Sequence, residues 1–140
     1  MTEATIFSII GEEGFARLVA AFYRQISNDN LLGPLYPERD RQNAEHRLRD
    51  FLIFRFGGPQ RYIEQRGHPR LRARHLAFPI NQATRDRWLQ LMDSAFACAT
   101  LPKEAEDQLR AFFEQTSTFM INETEPAGVG LGATREGDLK

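Results

Sequence analysis

The chain has 140 residues, a formal net charge of −1 and one cysteine. Its length allows one domain with a sizeable core, and its near-zero charge is not that of a general polyanion binder. One thiol excludes an intrachain disulfide and a zinc site built from several thiolates.

Two amphipathic helices are predicted in the first part of the chain, because apolar residues recur at spacings of three and four. The first covers about residues 12–28. Its apolar stripe consists of Phe15, Leu18, Val19, Phe22, Tyr23 and Ile26. Glycine and prolines in residues 33–37 break the pattern, and the second helix covers about residues 39–56. Its inward side consists of Ala44, Leu48, Phe51, Leu52 and Phe56. The Gly-Gly-Pro run at residues 57–59 ends it.

Two further helices are predicted in the second half. Asn81 is the expected N-cap of the third helix. The apolar side of that helix consists of Trp88, Leu91, Met92, Ala95 and Phe96. Cys98 is expected to be a small core residue on it, and Pro102 suits the first turn of a fourth helix. The stripe of the fourth helix consists of Leu109, Phe112, Phe113, Phe119 and Met120. The sequence thus predicts one all-α domain over residues 1–122 and a flexible tail over residues 123–140.

Residues 57–80, between the second and third helices, have the most specific composition in the chain. They contain two of the three histidines, and five arginines against one acidic residue. A connection of this length in a compact domain is usually functional, and we expect it to hold an anionic cofactor whose metal His75 ligates. A haem fits this inventory, since it offers a flat apolar face to the eleven phenylalanines, an iron to an imidazole nitrogen and two carboxylates to arginines.

Several short sequence blocks occur in a fixed order along the chain. They are Ala21-Phe22-Tyr23, Leu35-Tyr36-Pro37, residues 44–49, Phe56-Gly57-Gly58-Pro59, residues 66–72, Arg74-His75, Phe78 and residues 85–89. Together these blocks, from about residue 9 to residue 122, resemble the truncated haemoglobins and specifically their group II or O-type members. The resemblance implies an all-α, two-over-two helical sandwich around a haem b. One departure is that Gly11 stands alone where the family typically has a glycine pair.

The resemblance also implies roles for individual side chains. His75 matches the proximal ligand of the haem iron. Tyr23, Tyr36 and Trp88 match distal residues that are expected to stabilise a bound diatomic ligand, since an indole N–H and two phenol hydroxyls can all donate hydrogen bonds. Ala44 stands where many haemoglobins carry a distal histidine, so the distal hydrogen bonds must come from elsewhere.

Further residues are expected to line the haem pocket or to bind the propionates. They are Ala44, Arg47, Leu48, Tyr62, Arg66, Phe78 and Met92. Arg47 would reach a propionate from the second helix, and Tyr62 and Arg66 are weaker candidates from the following segment. The other arginines of that segment are expected to be solvated or to pair with helix acids such as Asp86.

On the residues alone, other interpretations stay open. From spacing, His75 could equally be a histidine that closes a helix, and Tyr23 and Trp88 could be ordinary core aromatics whose polar atoms bond the backbone. His68 is expected to hydrogen-bond its own loop. His46 is expected to be solvated, because it lies on the side of the second helix away from the pocket.

The function predicted first is reversible binding of oxygen, and of other diatomics such as nitric oxide and carbon monoxide, at a ferrous haem iron. The alternative is a haem redox enzyme, with peroxidase-like, NO dioxygenase or nitrite reductase activity, which would need a reductase as partner. A third interpretation is a helical interaction module without haem. An absorption spectrum separates the third interpretation from the others, and steady-state turnover separates the first two.

The expected surroundings of the protein follow from charge and hydropathy. The helices carry charges of both signs, which is not typical of a nucleic-acid-binding surface. Residues 1–4 contain an acid where a secretory peptide needs positive charge, and no apolar run reaches membrane length. We therefore expect a cytoplasmic protein without a membrane span or a nucleic-acid partner. The oligomeric state is open.

Overall fold

The computed structural model describes residues 6–67, 70, 75 and 79–122, and helices are the regular elements of these ranges. The α-helices are α1 Ile6–Tyr23, α2 Arg41–Arg55, α3 Arg61–Arg66, α4 Gln82–Ala99 and α5 Lys103–Phe119. Short 3₁₀ turns at Ile26–Asn28, Gly33–Leu35 and Glu38–Asp40 connect α1 to α2. The all-α prediction is confirmed. None of the helices described is both long enough and apolar enough to cross a bilayer.

Helix α1 bends at Gly11. The φ of 66° and ψ of 179° at this residue are accessible to glycine and strained for other residues. The regular part of α1 therefore begins at Glu12, where the apolar pattern predicts a start. It ends at Tyr23 instead of near residue 28, and the separate 3₁₀ turn Ile26–Asn28 follows. The lone glycine is thus the residue at which the chain changes direction.

The helices form two pairs, α1 with α2 and α4 with α5, and α1 also packs against α4. This arrangement is the predicted two-over-two sandwich. Its large buried side chains include Phe15, Phe22, Leu52, Phe56, Met92 and Leu109. Burying one such side chain stabilises the fold by roughly 1.5–3 kcal/mol, so the apolar stripes read from the sequence decide how the helices are placed.

A glycine pair lets the beginning of α1 approach the end of α2. Gly57 has a φ of 100°, the left-handed conformation that commonly follows a helix. A Cβ on Gly58 would lie 2.6 Å from Cγ2 of Ile53 and 2.7 Å from Cδ1 of Phe7. The N–H of Phe7 donates to the carbonyl of Phe56 at 3.0 Å. The two helix ends are therefore in direct contact, held by a backbone hydrogen bond.

Helix α3 is a correction, because it lies within residues 57–80, where none of the four predicted helices was placed. A helix of six residues is not stable in isolation, so tertiary contacts must hold it. Tyr62 is buried with its ring 5.4 Å from that of Phe51. The guanidinium of Arg61 lies 3.2 Å from the carboxylate of Glu12. Both contacts are with other helices, which local sequence patterns do not reveal.

Both predicted beginnings of the later helices are confirmed. Oδ1 of Asn81 accepts the N–H of Thr84 at 2.9 Å, which is the hydrogen bond of a helix N-cap. Pro102 immediately precedes α5, and its carbonyl accepts the N–H of Glu106 at 2.9 Å. A proline tolerates this place because the first helical N–H groups have no partner within the helix.

Two side chains that were predicted to be buried are exposed. Cys98 is exposed on α4, because Ala95, Phe96 and Ala99 occupy the buried side of that turn. Phe119 has 63% of its surface exposed at the end of α5. The last turn of α5 extends past the buried part of its stripe, which ends with Phe113.

Candidate functional site

A cavity of about 490 Å³ is lined by residues from all five described α-helices and from the turns between α1 and α2. Its size is within the usual range of small-molecule and cofactor sites. Most of its wall is apolar. Examples are Leu32, Leu35, Leu48, Phe51, Phe112 and Phe113. The cavity can therefore take a large apolar guest, and its few polar side chains decide the guest's chemistry.

Three aromatic side chains with polar atoms form one wall of the cavity: Tyr23 at the end of α1, Tyr36 after the second 3₁₀ turn, and Trp88 on α4. The rings of Tyr23 and Tyr36 meet edge to face with centroids 5.5 Å apart. Phe22 is fully buried and contacts two of these side chains. Its ring centroid lies 5.1 Å from that of Tyr23 and 5.0 Å from that of Trp88. We call Tyr23, Tyr36 and Trp88 the distal triad.

The distal triad is joined by hydrogen bonds that converge on Tyr36. Its hydroxyl is hydrogen-bonded to both Trp88 and Tyr23. Trp88 must be the donor of its bond, since an indole N–H cannot accept. Burial raises the pKa of Tyr36, and the hydrogen bonds with Trp88 and Tyr23 oppose that rise.

The pKa of Tyr23 is also raised, and here the hydrogen bond acts in the same direction as burial. Burial and then the neighbouring Tyr36 raise its pKa well above the ordinary value, and the hydrogen bond to Tyr36 adds to the rise. Both tyrosines therefore stay protonated at neutral pH. Each phenol thus keeps a proton that it can donate, and the Tyr36 oxygen accepts the indole N–H of Trp88.

His75 and Ala44 line the same cavity as the distal triad. His75 is half-buried, and its backbone carbonyl accepts a hydrogen bond from Nδ2 of Asn122 at 3.2 Å. Ala44 is buried on α2 and contributes a methyl group without any polar atom. One cavity thus holds an imidazole that can ligate a metal, together with phenol and indole donors.

A polar rim is formed by Arg47 and Asp40, which line the cavity together with the buried Tyr62. Nη2 of Arg47 lies 2.8 Å from Oδ2 of Asp40. This hydrogen bond holds the pKa of Asp40 below its usual value. The guanidinium predicted to bind a propionate therefore already has a carboxylate partner, while both groups are only partly covered by protein.

The remaining predicted site residues lie elsewhere. Arg66 ends α3, half-buried, and is not among the residues that line the cavity. Met92 is buried in the core and does not line the cavity either. Phe78 and His68 lie outside the described residues. His46 is half-buried on α2 and away from the cavity wall.

Arginines of the segment 57–80 were expected to be solvated or to pair with helix acids such as Asp86. Arg61 pairs with Glu12 and also lies 3.7 Å from the buried Asp50. Asp86 instead contacts its neighbour Arg85 at 3.1 Å. Arg61 thus pairs with helix acids as predicted, but these acids are Glu12 and Asp50 instead of Asp86.

Polar residues of α4 and α5 that the sequence analysis did not single out also line the cavity. They are Thr84, Arg85, Thr116 and Ser117. Helical spacing could have found some of them. Thr84 lies four residues before Trp88, and Thr116 lies four residues after Phe112, which places each pair on one helix face.

These residues fit a haem. The cavity has an apolar wall for a flat macrocycle, an imidazole that can bind iron, and a cationic side chain at the rim that can pair with a carboxylate. His75 would hold the iron, and Arg47 and Tyr62 would hold the carboxylate edge.

Comparison with known proteins identifies the family. The sequence-family model of the bacterial-like globins matches residues 5–122. The group 2 truncated hemoglobin YjbI of Bacillus subtilis is 39% identical over 119 residues, which are 85% of this chain and 89% of the relative. The crystal structure of a thermostable hemoglobin from the actinobacterium Thermobifida fusca is 43% identical, with a TM-score of 0.80 over 84% of this chain and 96% of that one.

A second solved structure, of a truncated oxygen-avid haemoglobin from Bacillus subtilis, is 38% identical with a TM-score of 0.80. The superposition covers 84% of this chain and 98% of that chain. Matches of this extent support haem-based ligand binding by the present protein. The chain therefore belongs to the bacterial-like globin family and, within it, to the group II truncated haemoglobins.

Proposed function

We propose that this globin binds oxygen reversibly, at a haem b whose iron is ligated by His75 and whose ligand is hydrogen-bonded by the distal triad. The observation that carries the proposal is that His75 and a hydrogen-bonded set of three donors line one apolar cavity. When bound, the haem supplies an iron atom that accepts an imidazole nitrogen and a diatomic ligand. A relative described as oxygen-avid supports the choice of ligand.

In this proposal the members of the distal triad have different tasks. Tyr36 donates its O–H toward the partially negative ligand in the cavity. Trp88 and Tyr23 orient that O–H, since both are hydrogen-bonded to the Tyr36 hydroxyl. We assign the Tyr36 oxygen as the acceptor of both bonds, which leaves its proton free. Ala44 leaves space and adds no donor of its own. One hydrogen bond of this kind is worth about 1–3 kcal/mol, or roughly ten- to hundred-fold in ligand release.

At the rim, Arg47 is the proposed partner of a haem carboxylate. It would share its guanidinium between that carboxylate and Asp40, which lies 2.8 Å away. Five N–H donors on one guanidinium allow two such partners. Tyr62 adds a hydroxyl on the same cavity wall. Arg66 stays a weaker candidate because it does not line the cavity.

Oxygen release measured by stopped flow tests the role of the distal triad. Tyr36→Phe removes the central hydroxyl and should accelerate release by roughly ten- to hundred-fold. Phe96→Leu is the matched control, since Phe96 is a buried aromatic of α4 that does not line the cavity. It should leave release unchanged. Equal release rates in wild type and Tyr36→Phe would refute the assignment.

A haem redox enzyme is the second candidate, and the contact between Tyr23 and Tyr36 favours it. Their rings touch at 5.5 Å, and the Tyr36 hydroxyl is hydrogen-bonded to Trp88. Such a set of oxidisable side chains could assist turnover of peroxide, nitric oxide or nitrite, with a reductase as the electron donor. Steady-state consumption of each substrate, with and without a reductase, separates this activity from reversible binding.

A further inference from the structure

Asn122 follows α5 and is the last residue that the structure describes. Only 5% of its surface is exposed, which is rare for an amide side chain. Its backbone N–H donates to the carbonyl of Ile80 at 2.8 Å, and its Oδ1 accepts the N–H of Ile80 at 2.9 Å. Its Nδ2 donates to the carbonyl of His75 at 3.2 Å.

These three hydrogen bonds fasten both ends of the segment that begins at His75. One residue satisfies both backbone groups of Ile80 and, with the other end of its amide, the carbonyl of His75. Ile80 in turn precedes Asn81, the N-cap of α4. The segment is thus anchored to α4 along the chain and to the end of α5 through space.

We infer that Asn122 is a positioning residue for His75: its amide fixes the peptide plane at the proposed iron ligand and thereby the orientation of the imidazole. This inference rests on the proposed function, in which His75 ligates the iron. A fixed carbonyl restrains the Cα of its residue, and from there the direction of the Cα–Cβ bond. Asn122 lies outside the residues that line the cavity, so its effect on the site passes through residues that it bonds, among them His75 and Ile80.

The chemistry of the site requires an amide. Ile80 offers an N–H and needs an acceptor, whereas the carbonyl of His75 needs a donor. Asparagine presents one of each at the end of a short side chain. A carboxylate would still accept from Ile80 but would place a negative oxygen against the carbonyl of His75. Asn122→Asp therefore keeps the contact with the Ile80 N–H and removes the contact with the His75 carbonyl.

The test uses the full-length haem-loaded protein in its reduced, ligand-free form. Resonance Raman spectroscopy measures the iron–histidine stretching band, and transfer to excess apomyoglobin measures the rate of haem loss. In Asn122→Asp the band should shift or broaden and haem should be lost roughly ten-fold faster, the effect of one hydrogen bond. Asn122→Ala lacks the added charge and should shift the band as well. An unmoved band in both variants overturns the inference.

Asn81→Ala is the matched control for loss of stability. It removes the N-cap of α4 next to Ile80 but no contact with His75. It should lower the denaturation midpoint of the haem-free protein and leave the iron–histidine band in place. A shift of the same size in Asn81→Ala would overturn the inference, because general loosening would then explain the result. Hydrogen exchange of the Ile80 amide in haem-free Asn122→Asp should stay protected.

His75→Gly distinguishes a failure of the inference from a failure of the proposed function. If His75 ligates the iron, the band disappears in His75→Gly and added imidazole restores an iron–imidazole band. A protein-derived band that persists in His75→Gly contradicts the proposed ligand and the inference with it. If the band disappears in His75→Gly but does not move in the Asn122 variants, the ligand assignment stands and the positioning role is refuted.

Discussion

The indole N–H of Trp88 donates a hydrogen bond to the hydroxyl of Tyr36. In the structure the indole is therefore engaged with another side chain of the cavity wall. From the sequence, Trp88 and the tyrosines were predicted to act as parallel donors to the ligand. The arrangement that we propose is a series instead, in which Trp88 and Tyr23 act on Tyr36 and Tyr36 acts on the ligand.

Replacing Trp88 by phenylalanine should accelerate oxygen release by roughly ten-fold, because the Tyr36 hydroxyl loses one of the two bonds that orient it. Stopped-flow mixing with an oxygen scavenger measures the rate. The pKa of Tyr36 should also rise, since the bond from Trp88 lowers it. An unchanged release rate would mean that the tyrosines stabilise the ligand without the indole.

A double-mutant cycle separates the series arrangement from the parallel one. If Trp88 acts through Tyr36, the double variant Trp88→Phe/Tyr36→Phe should release oxygen no faster than Tyr36→Phe alone. Independent donors would instead give multiplied effects, since the changes in free energy of separate interactions add. The same stopped-flow assay on all four proteins decides between these outcomes.

Replacing His75 by alanine should abolish haem retention or weaken it severely, because the cavity loses its proposed iron ligand. The measurement is the Soret absorption after reconstitution with haem and gel filtration. His46→Ala is the control, as it removes a half-buried imidazole from α2 away from the cavity wall. A normal spectrum with normal ligand binding in His75→Ala would contradict the proximal role.

Asp29 should make the fold sensitive to acid. Its side chain is 6% exposed and lies 2.6 Å from the guanidinium of Arg87. Burial acts to raise the pKa of Asp29, but hydrogen bonds from the Leu32 N–H and from Arg87 outweigh burial and hold it below the ordinary 3.8. The stabilisation is therefore complete above pH 3.8 and is lost as the pH falls through the lowered pKa of the folded state.

Thermal melts of wild type and Asp29→Asn between pH 7 and pH 2.5 check this expectation. The wild-type protein should melt at a clearly higher temperature at neutral pH, and the difference should shrink below about pH 3.8. Asp107→Asn is the control, because its partner Lys103 lies on the exposed surface of α5 and such pairs contribute little. A difference for Asp29→Asn that is constant with pH would contradict the role of the charge.

Replacing Gly58 by alanine should destabilise the protein by about 1–3 kcal/mol, the usual effect of overpacking. The new Cβ would lie within 2.7 Å of side-chain atoms of both Ile53 and Phe7, so these side chains or the helix ends that carry them must shift. Chemical denaturation measures the change. A midpoint equal to that of wild type would show that the contact between α1 and α2 can open without loss of stability.

Helix periodicity was enough to place most of the fold. Asn81 and Pro102 begin their helices as predicted, because capping and proline rules act within one turn of chain. Periodicity also gives the face of a helix but not what covers it. Phe119 continues the stripe of α5 by spacing and is nevertheless exposed, since no element that the structure describes buries it there.

Residues of the candidate site could be predicted from sequence where the spacing along one helix or a short motif indicates them. Trp88 and Met92 lie four residues apart on one face of α4, yet Trp88 lines the cavity and Met92 lies in the core. The boundary between cavity and core depends on how α1 crosses α4, which is a tertiary property. Asn122 was beyond prediction for the same reason, because its contacts are with residues far away in sequence.

Because Asn122 lies far along the chain from the residues that it bonds, these contacts can form only late in synthesis. His75 and Ile80 precede Asn122 by 47 and 42 positions. While a ribosome is still producing α5, the segment that carries the proposed iron ligand lacks the hydrogen bond from Asn122 to the carbonyl of His75. Domains are synthesised from the amino terminus. We therefore expect a nascent chain to bind haem weakly and to retain it firmly only after Asn122 has been synthesised.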